Sequence, residues 1–432
     1  MAKRTQVRVF LTFFVFILAA ISYLDRTNIS IAGVQLMPEF GISNQELGYV
    51  LSAFLAGYGL FQIPAGWLAK KYGPRKVLTW GLVWWGVLTA AMTLITPAMA
   101  NAFVLLLLVR FLLGVGEAVV YPASNQFTAT WIPTEERGKA NGLIFAGTGM
   151  GGALTAPFIT WLMLAYGWRE AFIICAVIGL IAAVGWYIYA RDTPDEHKSV
   201  NEAELAHIKA GLTGGGKKGA SNIAVPWGRI FGSKDILLLN FSYFCFCWIA
   251  FIFISWFFIY LAQARGLDLK SSAYLAMLPF GMMVVGSISG GAIADSICKA
   301  RGARAGRCLF SVLALVLAGT FLILGSQVPD AILATVLLAL GAGTLYFAQS
   351  AYWALAADFG GPHAGVISGF MNMIGMVGAF LTSSATPWLQ NHYGWTSVFF
   401  VGAAVAAAGA LAWLAINPGT RLHREEDEQV MA

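Results

Sequence analysis

The sequence predicts an all-α membrane protein: twelve transmembrane helices in two six-helix, pseudo-symmetric halves, with both termini in the cytoplasm. Three observations predict it: an apolar composition, twelve apolar stretches of spanning length, and motifs that recur between the halves. The 432 residues are 58% hydrophobic and only 11% charged, with a mean hydropathy of +0.71. A soluble globular chain carries about 25% charged residues. The start "MAKRTQVR" is basic, but the apolar run after it is long and has no small-residue cleavage site, so no cleavable signal peptide is expected.

The stretches run over 9–33, 46–69, 77–96, 102–123, 139–163, 171–190, 236–262, 272–297, 308–326, 331–356, 365–389 and 395–416. Each is long enough to cross about 30 Å of hydrocarbon as a helix. The expected domains are a bundle over 1–190, a cytoplasmic linker over 191–235, a second bundle over 236–416 and a cytoplasmic tail over 417–432. The linker holds "TGGGKKGAS", a flexible composition, and "NEAELAHIKAGL", where Asn201 and Glu204 have the spacing of a capping box. Leu205, Ile208 and Leu212 would face one side of a short surface helix.

Charge sets the orientation. With the N-terminus inside, 22 of the 27 Lys and Arg residues fall on the cytoplasmic side. Outer segments hold only Arg169, Arg265 and Lys270, and Arg26 and Arg110 lie within spans. Positive residues stay inside, so both termini are expected in the cytoplasm of a cell's inner membrane.

The halves repeat. "YGWREAF" begins at Tyr166 and "YGWTSVF" at Tyr393, 227 residues later. "GWLAKKYG" begins at Gly66 and "GAIADSICKARG" at Gly291. Gly147 and Gly151 match Gly365 and Gly369 as small-xxx-small pairs for close helix contact, and Gly286 and Gly290 form another. Two six-helix halves in parallel repeat, joined by a basic linker, is a transporter layout with its site near the midplane.

Four charges carry the chemistry. Asp25, Arg26, Arg110 and Glu117 fall deep in spans and sum to zero. Each costs about 2.5–3.5 kcal/mol at mid-bilayer on insertion scales. Buried ion pairs stabilise poorly compared with apolar packing of the same volume, so a functional reading is favoured over a structural one. Arg110, Gly114, Glu117 and Tyr121 lie on one helix face, with about 10 Å between Arg110 and Glu117 and an open space expected at Gly114. Tyr23, Arg26 and Ser30 share one face of the first helix; Ser22, Asp25 and Asn28 share the next. Asp25 could pair with Arg110, leaving Arg26 for Glu117, with Asp25 and Arg26 facing a water-filled cavity. An arriving anion would take an arginine and the freed acid would take a proton. Tyr58 and Gln62, one turn apart, are a second cluster.

Other chemistry is excluded by absence of its groups. The five cysteines and five histidines show no metal-site or redox spacing, so neither metal nor cofactor is expected. No nucleophile–base constellation marks an enzyme. The soluble part is too short for a signalling domain, and no nucleic-acid partner is indicated.

At this point the whole chain resembles the major facilitator superfamily, in its anion:cation symporter branch of bacterial sugar-acid and organic-anion transporters. The resemblance rests on "YLDRTNISIAG", "GYGLFQIPAGWLAKKYGPRK", "RFLLGVGEAVVYPASNQFTATWIPTEERGKANG" and "YGWREAF" together. It implies import of an organic anion by proton symport through alternating access, by a functional monomer whose other partner is the bilayer. It implies that Asp25 and Glu117 carry protons and that Arg26 and Arg110 anchor the substrate. Tyr23, Tyr58, Gln62, Tyr121, Ser350, Trp353 and Asn372 match or neighbour cavity-lining positions, and Gly66, Gly73, Arg75 and Asp295 the cytoplasmic gate. Sugar acids (aldarates, aldonates, hexuronates) are the leading substrates; aromatic or small aliphatic carboxylates are the alternative. Three departures stand out: Lys70 in place of the gate's acid, Phe258 in place of a proline, and Thr148 where sugar-acid relatives carry a glutamine. The last two count against a polyhydroxylated substrate, which needs many hydrogen bonds.

Overall fold

The computed structural model describes residues 4–133, 136–213, 227–360 and 364–420. Linker residues 214–226, tail residues 421–432 and the side chains of Lys70 and Leu212 lie outside the described residues. The chain divides into two units, Met1–Ser221 and Asn222–Ala432.

The first unit contains α1 (Val7–Phe40), α2 (Asn44–Tyr72), α3 (Pro74–Met92), α4 (Ala102–Glu117), α5 (Val120–Trp131), α6 (Arg137–Tyr166), α7 (Trp168–Tyr189) and α8 (Glu202–Thr213). In the second, α9 (Trp227–Gly232) and α10 (Lys234–Phe251) are followed by α11 (Phe257–Gln263), α12 (Leu269–Ala303), α13 (Phe310–Gln327), α14 (Ala331–Phe347), α15 (Gln349–Gly360), α16 (Ala364–Tyr393) and α17 (Trp395–Ala415). Single π-turns, Ile252–Trp256 and Arg304–Leu309, join α10 to α11 and α12 to α13. All twelve predicted apolar stretches overlap helix. Nine helical runs among the described residues are long and apolar enough to cross a membrane. The stretches in α2 and α3 are not among them, and those in α12 and α13 count as one run.

The units have matching interiors. In the first, α1 packs on α6, α2 on α4 and α3 on α7; in the second, α10 packs on α16, α12 on α14 and α13 on α17. Glycines make the closest crossings. A Cβ on Gly57 would strike the Phe111 carbonyl, and one on Gly114 the Phe54 carbonyl. Gly114 therefore does not hold open a space, as its sequence position suggested; it lets the α4 backbone touch α2. Gly286 meets Gly343 in the same way in the second unit, and Gly290 meets Phe347. Gly147 and Gly151 bring α6 against the Phe16 and Ala20 carbonyls of α1. Of the expected counterpart, the surroundings of Gly365 lie outside what is described and Gly369 has no atom within 4 Å of a Cβ; Gly378 makes the approach to the Phe244 carbonyl of α10. Gly378 lies 227 residues after Gly151, the offset of the "YGW" repeat, so the motif offset and not the glycine spacing gives the register.

The span carrying Arg110 and Glu117 is broken at Ala118–Val119. Pro122 causes the break: it has no N–H to bond the Ala118 carbonyl, and its ring crowds that turn. A corresponding break at Ala348 separates α14 from α15.

On the linker, α8 folds back on the start of α1. Asn201 Oδ1 accepts from Glu204 N at 2.9 Å, which is half of the expected capping box. Asn201 N donates to Thr5 Oγ1 at 3.1 Å. Glu204 is fully buried and accepts instead from Thr5 Oγ1 (2.6 Å), Val7 N (3.2 Å), Arg8 N (3.2 Å) and Arg8 Nη1 (3.0 Å). It satisfies first-turn amides of α1 that have no partner within their own helix, and puts a negative charge at the positive helix end. Ile208 is fully buried beside it on the same face. Arg8 also pairs with Glu136 at 2.9 Å, and His207 reaches Glu136 at 2.9 Å. Hydrogen bonds from Arg8, with help from His207, hold the Glu136 carboxyl down at about 2.

Candidate functional site

Arg26 and Glu117 form the centre of the first unit. Arg26 Nη2 lies 2.6 Å and Nε 3.0 Å from Glu117 Oε1. Glu117 ends α4 at the proline-induced break, so its side chain projects where the helix turns away. Its other oxygen, Oε2, has no hydrogen bond, although the Ser22 hydroxyl faces it. This pairing is the one expected from the sequence.

The second expected pair is not made. Among the described residues no ion pair joins Asp25 to Arg110, although each lies within range of the other's field. The close α2–α4 crossing at Gly57 and Gly114 sets the Arg110 guanidinium over the Phe54 ring instead, at 4.8 Å. Arg110 Nε and Nη1 have no hydrogen-bond partner, and the residue is 1% exposed. Asp25 Oδ1 takes a long bond of 3.4 Å from Asn28 Nδ2, while Oδ2 has none. A buried donor or acceptor left unpaired is rare in a folded protein and calls for an explanation. The expectation that Asp25 and Arg26 face water is corrected: Asp25 is fully buried and Arg26 is 6% exposed; Glu117 is fully buried as well. The sequence places charges on a helix face, but it does not reveal that neighbouring helices close over that face.

Aromatic rings enclose the arginine. The Arg26 guanidinium lies 4.5 Å from the Tyr58 ring centroid, 4.8 Å from Tyr23 and 5.4 Å from Phe54. Such faces attract a cation when water is excluded. Tyr121 stacks on Phe145 at 5.5 Å and lies within the field of Arg26. Gln62 sits one turn beyond Tyr58 on α2, half-buried. Tyr23, Tyr58 and Tyr121 are thus brought together around the Arg26–Glu117 pair. Phe54 and Trp85, which the sequence reading missed, belong to the same neighbourhood. Phe54 lies one turn before Tyr58, a spacing that would have found it.

Ser350, Trp353 and Asn372 belong to the second unit. Ser350 Oγ is packed against α12, within 3.4 Å of a Cβ placed on Gly291. Trp353 meets Tyr243 edge-on at 6.2 Å, and Asn372 is half-buried on α16. A buried bond between Ser242 and Tyr352 (2.8 Å), with Ser242 Oγ donating to the Gly409 carbonyl, ties α10, α15 and α17 together. Tyr352 was not singled out in sequence; its neighbours Ser350 and Trp353 were.

The gate motif is locked to the end of α7. Gly73 has φ 85°, and a side chain there would strike Asp192. Asp192 Oδ1 accepts from Arg75 N at 2.9 Å, and the Arg75 guanidinium donates to the Tyr187 carbonyl and stacks on its ring. The second unit repeats this with Gly302 (φ 81°) and Arg304, which donates to the Leu414 and Ile416 carbonyls. Arg307 pairs with Asp358 nearby. Gly66 has room beside it, its nearest neighbour being Pro122. Asp295 is exposed and has no ion pair among the described residues.

Long apolar helices around a buried charge cluster of zero net charge define a multi-pass membrane protein. The sequence profile of the Major Facilitator Superfamily matches residues 15–383, and the chain belongs to that superfamily. It is 35% identical over 402 residues to a probable sulfoacetate transporter of Cupriavidus necator, covering 92% of this chain and 91% of the relative. It is 28% identical to a probable galactarate/D-glucarate transporter of Bacillus subtilis, covering 99% and 96%. A bacterial homologue of the human lysosomal transporter Spinster, in an inward-facing and occupied conformation, shares the fold with a TM-score of 0.75 at 16% identity, over 96% and 97% of the two chains.

Proposed function

We propose that this transporter imports an organic anion across the inner membrane by proton symport through alternating access, with twelve spans, cytoplasmic termini and a monomeric working unit. The observation that carries the reading is the Arg26–Glu117 pair beside an Arg110 whose Nε and Nη1 have no partner. A buried guanidinium with idle donors is a ready seat for an anion, because charged, bidentate hydrogen bonds are the strongest available. An anion that also draws Arg26 away leaves Glu117 as a buried carboxylate without its cation. Such a group binds a proton. Anion and proton then travel together. Asp25 and Arg110 form the second acid–base set, and Tyr23, Tyr58, Gln62 and Tyr121 orient the anion. Ser350, Trp353 and Asn372 are the proposed contacts from the second unit. Gly66, Gly73, Arg75 and Asp295 belong to the cytoplasmic gate.

A sugar acid is the leading substrate, in line with the galactarate and glucarate of one relative's name. A second reading is a compact dianion such as sulfoacetate, the substrate in another relative's name. One observation favours it: Thr148 Oγ1 donates to the Phe145 carbonyl of its own helix at 2.7 Å, so it has no proton left for a substrate hydroxyl.

The test is thermal stabilisation of the purified full chain by galactarate, glucuronate, sulfoacetate, tartrate, phthalate and 4-hydroxyphenylacetate at pH 6 and pH 8. Uptake of the best ligand into proteoliposomes with and without an imposed pH gradient follows. Ligand at a hundredfold its Kd stabilises by about 2.7 kcal/mol. Accumulation that follows the proton gradient supports symport, and accumulation indifferent to it overturns symport. A shift with sulfoacetate alone replaces the sugar acid with the compact dianion.

A further inference from the structure

Trp85 is a fully buried indole on α3 whose Nε1 has no hydrogen-bond partner. Its neighbours in the first unit are not like this. Trp84 donates to the Leu112 carbonyl (2.7 Å), Trp131 to Arg191 (3.1 Å), Trp168 to Glu39 (2.7 Å) and Trp186 to Arg75 (3.2 Å). Trp84 is even half-exposed, yet satisfied. Trp85 faces Asp25, whose Oδ2 is also without a hydrogen bond among the described residues. A donor and an acceptor, both buried and unbonded, therefore lie within reach of each other's influence. Thr89, one turn on from Trp85, is buried with an unpartnered hydroxyl as well.

An indole N–H can only donate, and an ionised carboxylate can only accept. The two match best when Asp25 is charged, and such charge-assisted bonds are about twice as strong as neutral ones. We infer that Trp85 is a positioning residue for the coupling acid: its indole N–H closes onto Asp25 Oδ2 when the carboxylate is ionised and lets go when Asp25 takes its proton. The inference rests on the reading of Asp25 as a proton carrier. Trp85 then holds the ionised acid in place while Arg110 is engaged by an anion.

The surroundings of Asp25 leave room for this role. Asn28 on its own helix, Arg110 and Glu117 on α4 and Cys175 on α7 are the other polar or titratable groups facing it. Helix α6 carries its titratable residues, Arg137, Lys139 and Tyr166, at its ends. Tyr58 of α2 and Tyr121 of α5 gather around Arg26 instead. A Cβ on Gly179 of α7 would rest 3.4 Å from Trp85 Nε1, an ordinary contact, so a serine fits there with a hydroxyl oxygen beside the indole.

The experiment measures thermal unfolding of the full chain from pH 5 to pH 9 for wild type, Trp85→Phe, Asp25→Asn and the double variant. No substrate is needed. The bond is strongest with ionised Asp25, so most of its contribution is present at high pH and lost as pH falls. The Tm gap between wild type and Trp85→Phe should widen by about 2–4 °C toward pH 9. In the Asp25→Asn background that widening should vanish. A gap that stays constant with pH means that Trp85 only packs, and overturns the inference while leaving the pH dependence of wild type against Asp25→Asn intact. If wild type and Asp25→Asn differ equally at every pH, Asp25 does not titrate, and both the inference and the proton-carrier reading of Asp25 fail. If Trp85→Phe does not fold, Gly179→Ser takes its place. Its hydroxyl draws the indole away, so the same pH-dependent loss is expected, and a flat profile overturns the inference.

Discussion

Arg26 and Glu117, 91 residues apart in the chain, meet at 2.6 Å with side chains 5% and 0% exposed. A pair so buried is a poor source of stability, because desolvation offsets most of the attraction, yet losing one partner leaves an uncompensated charge. Arg26→Met should therefore cost about 3–5 kcal/mol. The double variant Arg26→Met with Glu117→Met should regain most of that loss. Thermal and denaturant unfolding of the three variants checks both. A double variant no better than the single would mean that the pair itself holds the bundle together.

Function should respond the other way. Glu117→Gln keeps the shape and a hydrogen-bonding group for Arg26 but cannot cycle a proton. Exchange of substrate across proteoliposomes should continue at a rate within about tenfold of wild type, since binding groups remain, while accumulation driven by a pH gradient is abolished. Gradient-driven accumulation by Glu117→Gln would remove Glu117 from the coupling role.

The parts of this arrangement differ in how plainly the sequence shows them. Depth counted from the helix ends set Asp25 level with Arg110 and left Arg26 for Glu117, and the second of these pairs is the one that forms. The "YGW" repeat reappears as glycines with φ 98° and 79° opening α7 and α17. Asp25 and Arg110 are level by the same count, yet the backbone crossing at Gly57 and Gly114 turns Arg110 onto Phe54. Crossing depth depends on which face of one helix meets which face of another, and periodicity within one helix does not contain that. Glu204 was read as a local cap because Asn201 is three residues away; its partners Thr5, Val7 and Arg8 are about 200 positions distant.

That crossing can be tested by its sterics. A Cβ on Gly114 would overlap the Phe54 carbonyl and crowd Tyr58 N, both backbone atoms that cannot swing aside. At Gly66 the nearest atom to a new Cβ is Pro122 Cβ at 3.9 Å. Gly114→Ala should thus lose folded protein or several degrees of Tm, with overpacking costing about 1–3 kcal/mol or more. Gly66→Ala should match wild type in both. Size-exclusion yield and melting temperature of the two variants decide it, and a Gly114→Ala protein as stable as wild type would show that α2 and α4 do not cross this closely.

The clamp at the start of α1 offers a test with a defined pH sign. Glu136 is pulled down to about 2, chiefly by its bond to Arg8, so its folded value lies below that of a free glutamate, about 4.3. An acid depressed on folding adds stability that is whole above the unfolded value and drains away as pH falls through the folded one. The contribution of Glu136 should stay constant from pH 8 to about pH 5 and disappear toward pH 2. Glu136→Gln should flatten that acid limb of the melting curve. Glu204→Gln should act differently, because Glu204 is fully buried and accepts from the Val7 and Arg8 amides. It should raise hydrogen exchange at those amides and along Glu202–Thr213 even at pH 7, leaving the core of α1 protected. Unchanged exchange there would mean that α8 is held by Ile208 and its apolar contacts and not by the carboxylate.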